Sequence, residues 1–219
     1  MVAVAAYMNL TLSGLYVITE DRPPADRPVT NGVEAALRGG ARIVQYRDKS
    51  DDHVRRLEEA GALRKLCSDH GALLLINDDI DLAASVAADG VHLGRDDPDM
   101  ASARSKLPAG SLIGITCYNR FERAQQAAAQ GADYIAFGSF HPSPTKPDAV
   151  HADPDLLRRA RQELALPTVA IGGISPENGA ALVRAGADML AVISAVFAAP
   201  DISAAARAFN RCFNAVEET

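Results

Sequence analysis

The feature that most constrains this chain is a spacing. Eight short apolar runs, at residues 15–19, 43–47, 73–77, 90–94, 112–117, 134–139, 168–172 and 189–194, recur along its 219 residues. They are continuous rather than alternating, which is the pattern of parallel strands buried on both faces. Between them lie stretches such as 51–70, 120–130 and 153–164, rich in the ready helix formers Ala, Leu, Arg and Glu. Four junctions repeat one another: Gly39-Gly40-Ala41-Arg42, Ala87-Ala88-Asp89-Gly90, Gly131-Ala132-Asp133 and Gly186-Ala187-Asp188. In each, a helix closes on small residues and a strand begins directly afterwards; glycine enters the left-handed region there without steric cost. One strand–helix unit repeated eight times predicts an α/β fold, a single (β/α)8 TIM barrel over residues 1–219, with 1–13 as an N-terminal extension. A doubly wound sheet is the alternative, but it usually needs fewer strands at this length.

Composition narrows the partners. With 22 basic against 28 acidic side chains the net charge is −6, which gives no general field for nucleic acid or an anionic membrane. Aromatic residues make up 5% and Trp is absent, leaving little for base stacking. The expected partners are small molecules, with neither nucleic acid nor membrane, and a homo-oligomer is left open. No apolar run approaches the ~18 residues of a membrane span. Cys67, Cys117 and Cys212 are odd in number, far apart and without metal-ligand spacing, so a reduced, cytoplasmic setting is expected.

A barrel places its chemistry at the C-terminal ends of the strands, and the polar residues cluster there. After the second run, Gln45, Arg47 and Lys49 share one face of an extended segment. An amide and two cations suit a polar ring with an anionic tail; the plain alternative is a solvated strand end. Lysine is scarce, four in the chain, and two of the four fall in candidate sites. After the third and fourth runs come Asn77-Asp78-Asp79 and Arg95-Asp96-Asp97. Carboxylates from adjacent strand ends suit Mg²⁺, which takes few protein ligands and keeps water and phosphate oxygens. Helix capping is the competing role for any one of these acids. His92, within an apolar run, reads as a packed core residue, and Cys117 as a small buried one.

Thr116 offers a hydroxyl after the fifth run. After the sixth, Ser143, Pro144, Thr145 and Lys146 make a stiff loop with two hydroxyls and a cation, a sensible phosphate clamp, and 143–150 is the candidate lid. Gly172-Gly173 after the seventh run and Ile193-Ser194 after the eighth fall where barrels commonly bind phosphate on backbone N–H groups. Two anion sites in one mouth, one suited to a diphosphate with Mg²⁺ and one to a monophosphate, suggest group transfer with diphosphate as leaving group.

These motifs resemble the thiamine-phosphate synthase family over about residues 15–197. The matching pieces are QYRDK at 45–49, IND at 76–78, GVHLG at 90–94 with Asp97, FGSFHPSPTK at 137–146, AIGGI at 170–174 and AVISA at 191–195. The resemblance implies a barrel transferase that joins hydroxymethylpyrimidine diphosphate to a thiazole phosphate, forming thiamine phosphate and pyrophosphate. It implies that Gln45, Tyr46, Arg47, Asp48, Lys49, Asn77, Thr116 and Lys146 hold the pyrimidine diphosphate, with Arg47, Lys49, Lys146 and Thr116 catalytic. It implies Mg²⁺ on Asp78 and Asp97, and thiazole phosphate on Ser143, Pro144, Thr145, Gly173, Ile193 and Ser194. Four positions depart from the family pattern: Asp79 stands for Arg, Arg95 for Gln, Thr116 for Ser and Tyr118 for His. A charge moved across the site would set Arg95 against Asp79. The rival readings are a thiazole tautomerase on the same barrel and a non-catalytic thiamine-precursor binding or regulatory protein. Tyr118 in place of the His that acid–base isomerisation would use, with Lys49, Asp78, Asp97 and Lys146 all retained, favours the synthase.

Overall fold

The computed structural model describes residues 12–21, 27–94, 97, 99–142 and 150–217. Its elements run β1 (Gly14–Ile18), α1 (Val29–Arg38), β2 (Ile43–Tyr46), α2 (His53–Asp69), β3 (Leu73–Asn77), α3 (Ile80–Ser85), β4 (Gly90–Leu93) and α4 (Met100–Lys106). They continue with β5 (Leu112–Tyr118), α5 (Phe121–Ala129), β6 (Tyr134–Gly138), α6 (Asp155–Glu163), β7 (Thr168–Ile171), α7 (Pro176–Ala185), β8 (Met189–Val192), α8 (Ser194–Phe197) and α9 (Ile202–Glu217). The eight strands pair in parallel and in chain order, and β8 pairs with β1 to close the barrel. The eight expected apolar runs are these eight strands, and the doubly wound alternative falls. Among the described residues no helix is long and apolar enough to cross a membrane.

Alternate strand residues divide between two cores. Val17, Val44, Leu74, Val91, Ile113, Ile135, Ala170 and Leu190 face the helices. Tyr16, Ile43, Leu75, Tyr134, Val169 and Met189 fill the barrel. Gly114 is small for a reason: a Cβ there would lie 1.9 Å from Tyr134 Cζ, so the glycine makes room for a buried aromatic ring inside the barrel. Helix α9 lies across α1 and α7, burying Ala206, Phe209 and Cys212.

The repeated junctions have one physical job. Asp89, Asp133 and Asp188 each precede an even-numbered strand and clasp one residue of the strand before it. Asp89 donates its amide to the Leu74 carbonyl and accepts the Leu74 amide on its carboxylate. Asp133 does the same with Ile113, and Asp188 with Thr168, at 2.7–2.8 Å for the side-chain bonds. At the fourth junction Arg42 keeps only the backbone half of this clasp, to Leu15. The clasps tie down strand starts, leaving the opposite, C-terminal ends to form the mouth.

Candidate active site

The end of β2 is held by two unrelated sets of bonds. Thr19 Oγ1, just past β1, accepts the Arg47 amide at 2.8 Å and donates to the Arg47 carbonyl at 3.1 Å. Arg47 itself pairs with Asp21. Strand alternation aims Gln45, Arg47 and Lys49 one way and Tyr46 and Asp48 the other. Tyr46 donates to Glu59 of α2 at 2.7 Å, and Asp48 pairs with Arg55 of α2 at 2.7 Å. The side chains of Tyr46 and Asp48, two residues expected among those that hold substrate, are thus bonded to α2. Burial works to raise the Asp48 carboxyl, but the Ser50 amide and Arg55 outweigh it and hold the group below its ordinary range.

Next to this segment lies the acidic pair. Lys49 Nζ pairs with Asp78, whose carboxylate also accepts from Asn77 Nδ2 at 2.6 Å. Asp78 has φ +63°, a left-handed turn that aspartate tolerates better than most side chains. Asp97 Oδ2 accepts the Gly94 amide at 2.5 Å. The Asp97 carboxyl is raised, first by burial and then by Asp78 beside it, while the Gly94 amide and Lys49 pull it down. Two crowded carboxylates sharing one lysine carry a surplus negative charge, and their hard oxygen donors fit a divalent cation such as Mg²⁺. Among the described residues no cluster of three or more His, Cys, Asp or Glu could hold a metal. A site on these two acids would therefore leave most coordination positions to water and phosphate.

Asp79 caps α3, accepting the Leu82 amide at 2.9 Å, and pairs with Arg56 of α2 at 2.7 Å. The cation facing Asp79 thus comes from α2, and Arg95 lies outside the described residues. Arg123 of α5 joins the ends of β4 and β5, donating to the carbonyls of Gly94 at 2.9 Å and Thr116 at 2.7 Å. Arg56 and Arg123 carry no signal in the sequence beyond a charge on the first turn of a helix after a site strand. His92 is a core residue, as expected, and both of its ring nitrogens are engaged there. That side chain is buried in the barrel, 2.9 Å from Tyr134 Oη and 2.7 Å from Thr116 Oγ1. Burial pushes its pKa down to about 4, against the pull of Asp97. Cys117 is buried as expected, its thiol pushed up to about 12 by that burial.

Across the mouth, β7 and β8 are neighbours, which brings Gly172-Gly173 beside Ile193-Ser194. Ser194 opens α8, and Ile193 precedes it as the cap residue. The Val196 and Phe197 amides donate to the Ile193 carbonyl at 3.2 and 3.0 Å, which leaves those of Ser194 and Ala195 as the candidates for an anion. Gly173 has φ +62°, and a Cβ on it would lie 2.4 Å from the Pro142 carbonyl oxygen. Its smallness thus serves first to seat the segment after β6, which His141 fastens by donating to the Gly172 carbonyl at 3.0 Å. Ser143, Pro144, Thr145 and Lys146, and all of the candidate lid but Val150, lie outside the described residues.

A closed parallel barrel with cations and paired carboxylates on one side of its mouth, and glycine turns and helix starts on the other, defines a class: a phosphate-handling (β/α)8 enzyme. The profile of the family described as Thiamine monophosphate synthase matches residues 15–196, and the chain belongs to that family. Thiamine-phosphate synthase of Halorhodospira halophila is 55% identical over 196 residues, covering 90% of this chain and 92% of its own. That of Thioalkalivibrio sulfidiphilus is 54% identical over 196 residues, covering 90% and 93%. Among solved structures, thiamine phosphate pyrophosphorylase from Pyrococcus furiosus superposes with a TM-score of 0.83 at 35% identity, covering 93% of this chain and 96% of that one.

Proposed function

We propose that this chain condenses hydroxymethylpyrimidine diphosphate with a thiazole phosphate, giving thiamine phosphate and pyrophosphate. The observation that carries the reading is the meeting of Lys49, Asp78 and Asp97 at adjoining strand ends, in a chain whose close relatives bear that enzyme's name. Gln45, Asn77 and Thr116 hold the pyrimidine and its first phosphate; Arg47, Lys49 and Lys146 hold the diphosphate. Asp78 and Asp97 are the residues that would hold Mg²⁺, which when bound supplies positive charge to the departing diphosphate. Ser143, Pro144, Thr145, Gly173, Ile193 and Ser194 receive the thiazole phosphate.

The bond between the pyrimidine methylene and the diphosphate oxygen breaks, and its electron pair leaves with the diphosphate. The thiazole nitrogen lone pair then forms the new carbon–nitrogen bond. No proton must be removed, so the site needs charge stabilisation and alignment rather than a general base. A tautomerase would need an available acid–base group, and both ring nitrogens of His92 are already engaged. Incubation with both precursors and Mg²⁺ should yield thiamine phosphate and pyrophosphate in equal amounts. Turnover that survives complete chelation of divalent ions would overturn the role of Asp78 and Asp97 but not the transferase reading; absence of product would overturn the latter.

A further inference from the structure

Five side chains form one hydrogen-bonded chain across the inside of the barrel. Gln45 Nε2 donates to Tyr16 Oη at 2.6 Å, and Tyr16 Oη lies 3.1 Å from Tyr134 Oη. Tyr134 Oη lies 2.9 Å from His92 Nδ1, and His92 Nε2 lies 2.7 Å from Thr116 Oγ1. Both ends are residues assigned above to the pyrimidine diphosphate. The middle three have no role in that assignment, although Tyr16, Tyr134 and His92 are all buried. The fold makes room for them: a Cβ on Gly114 would overlap the Tyr134 ring, which stacks on His92 with centroids 5.5 Å apart.

With Gln45 Nε2 as the donor, one direction gives every link a proton. An amide nitrogen only donates, so Tyr16 Oη is the acceptor at the first link. Tyr16 has one proton, and the next oxygen along is that of Tyr134. Tyr134 likewise has one proton to give, and its remaining neighbour is His92 Nδ1. In that direction the imidazole would carry its proton on Nε2 and donate to Thr116. The hydroxyl proton of Thr116 is thereby left to point out of the chain, into the mouth. Reversing the Gln45 amide would invert every link, and Thr116 would spend its proton on His92. The orientation of an amide on β2 and of a hydroxyl on β5 are therefore coupled through the barrel.

We propose that Tyr16, Tyr134 and His92 are positioning residues, which fix Thr116 as a hydrogen-bond donor toward the departing diphosphate and Gln45 in one amide orientation. The ligand's identity rests on the synthase reading; the direction of the chain is a property of the free protein. The experiment therefore has two arms. Nitrogen-15 NMR of histidine-labelled free protein should show His92 with a bare Nδ1 and a protonated Nε2, and Tyr134→Phe should disturb that tautomer. Kinetics with both precursors should show Tyr134→Phe lowering kcat roughly tenfold with KM for the pyrimidine diphosphate changed less than about threefold. His92→Leu should cost at least as much, and His92→Gln, which keeps an N–H for Thr116, should restore most of the rate. Thr116→Val combined with His92→Leu should be no slower than the worse single variant. A proton on Nδ1 in the wild type overturns the direction. A disturbed tautomer with unchanged kcat in Tyr134→Phe overturns the positioning role, and this variant deletes one hydroxyl, which spares the fold should His92→Leu not survive. A wild type that forms no thiamine phosphate defeats the synthase reading instead and leaves the NMR arm standing.

Discussion

Gly114 and Gly173 are both small because something stands where a Cβ would go, and what stands there differs. At Gly114 it is the ring of Tyr134, with Cζ at 1.9 Å. Gly114→Ala should overpack the barrel by roughly 1–3 kcal/mol, read as a lower urea midpoint with an unchanged slope, because the ring is fully buried and has nowhere to retreat. At Gly173 it is the backbone of His141 and Pro142, combined with a positive φ. The sequence suggests that this glycine admits an anion, and the geometry adds a structural debt to its own loop. Gly173→Val should therefore lower Tm without any ligand, as well as raise KM for the thiazole phosphate. A Tm equal to wild type would mean that the loop after β6 does not lean on this residue. Alternation along the β2 end was legible in Gln45, Arg47 and Lys49, and the same rule, applied to Tyr46 and Asp48, would have turned them toward α2.

At the scale of elements, the Ala-Asp junctions were visible in the sequence because each is a local event repeated at the same point of the unit. Their purpose was not visible, since each carboxylate acts on a strand fifteen to twenty residues earlier. Asp188→Ala should strand the Thr168 amide and cost roughly 1–3 kcal/mol. Asp188→Asn, which keeps an acceptor oxygen, should cost less, and equal losses in the two variants would show that the clasp is not what matters. The interior chain escaped notice for a related reason. Its five members sit on β1, β2, β4, β5 and β6, and the Tyr16–Tyr134 link spans 118 residues. Tyr16, Tyr134 and His92 each look like one more member of an apolar run, so His92 reads as core packing. Periodicity reports which way a side chain points, but only barrel closure decides which neighbours it meets. The pairing of Asp79 is the same lesson at shorter range, because Arg56 reaches it from α2 across 23 residues of chain.

For the molecule as a whole, a net charge of −6 and the proposed anion-binding mouth are compatible, because such a mouth would rely on a few placed cations and on uncharged amides. The barrel interior sets a second molecule-wide property, the acid side of the stability curve. His92 is buried with a pKa of about 4 in the folded protein, against an ordinary value of 6.5. The unfolded chain binds that proton more readily, so the group costs nothing above about pH 6.5. Stability drains away as the pH falls from there toward about 4 and then levels off for this residue. The full effect is bounded at about 3–4 kcal/mol, because one pKa unit corresponds to about 1.4 kcal/mol. Carboxylates paired in the fold also lose stability in acid, so the measurement must be a difference. The wild type should lose more stability than His92→Gln between pH 6.5 and 4.5 in urea titrations, since glutamine keeps a polar link in the chain and has no proton to gain. Parallel curves for the two proteins across that window would mean that His92 stays accessible to protons in the folded barrel.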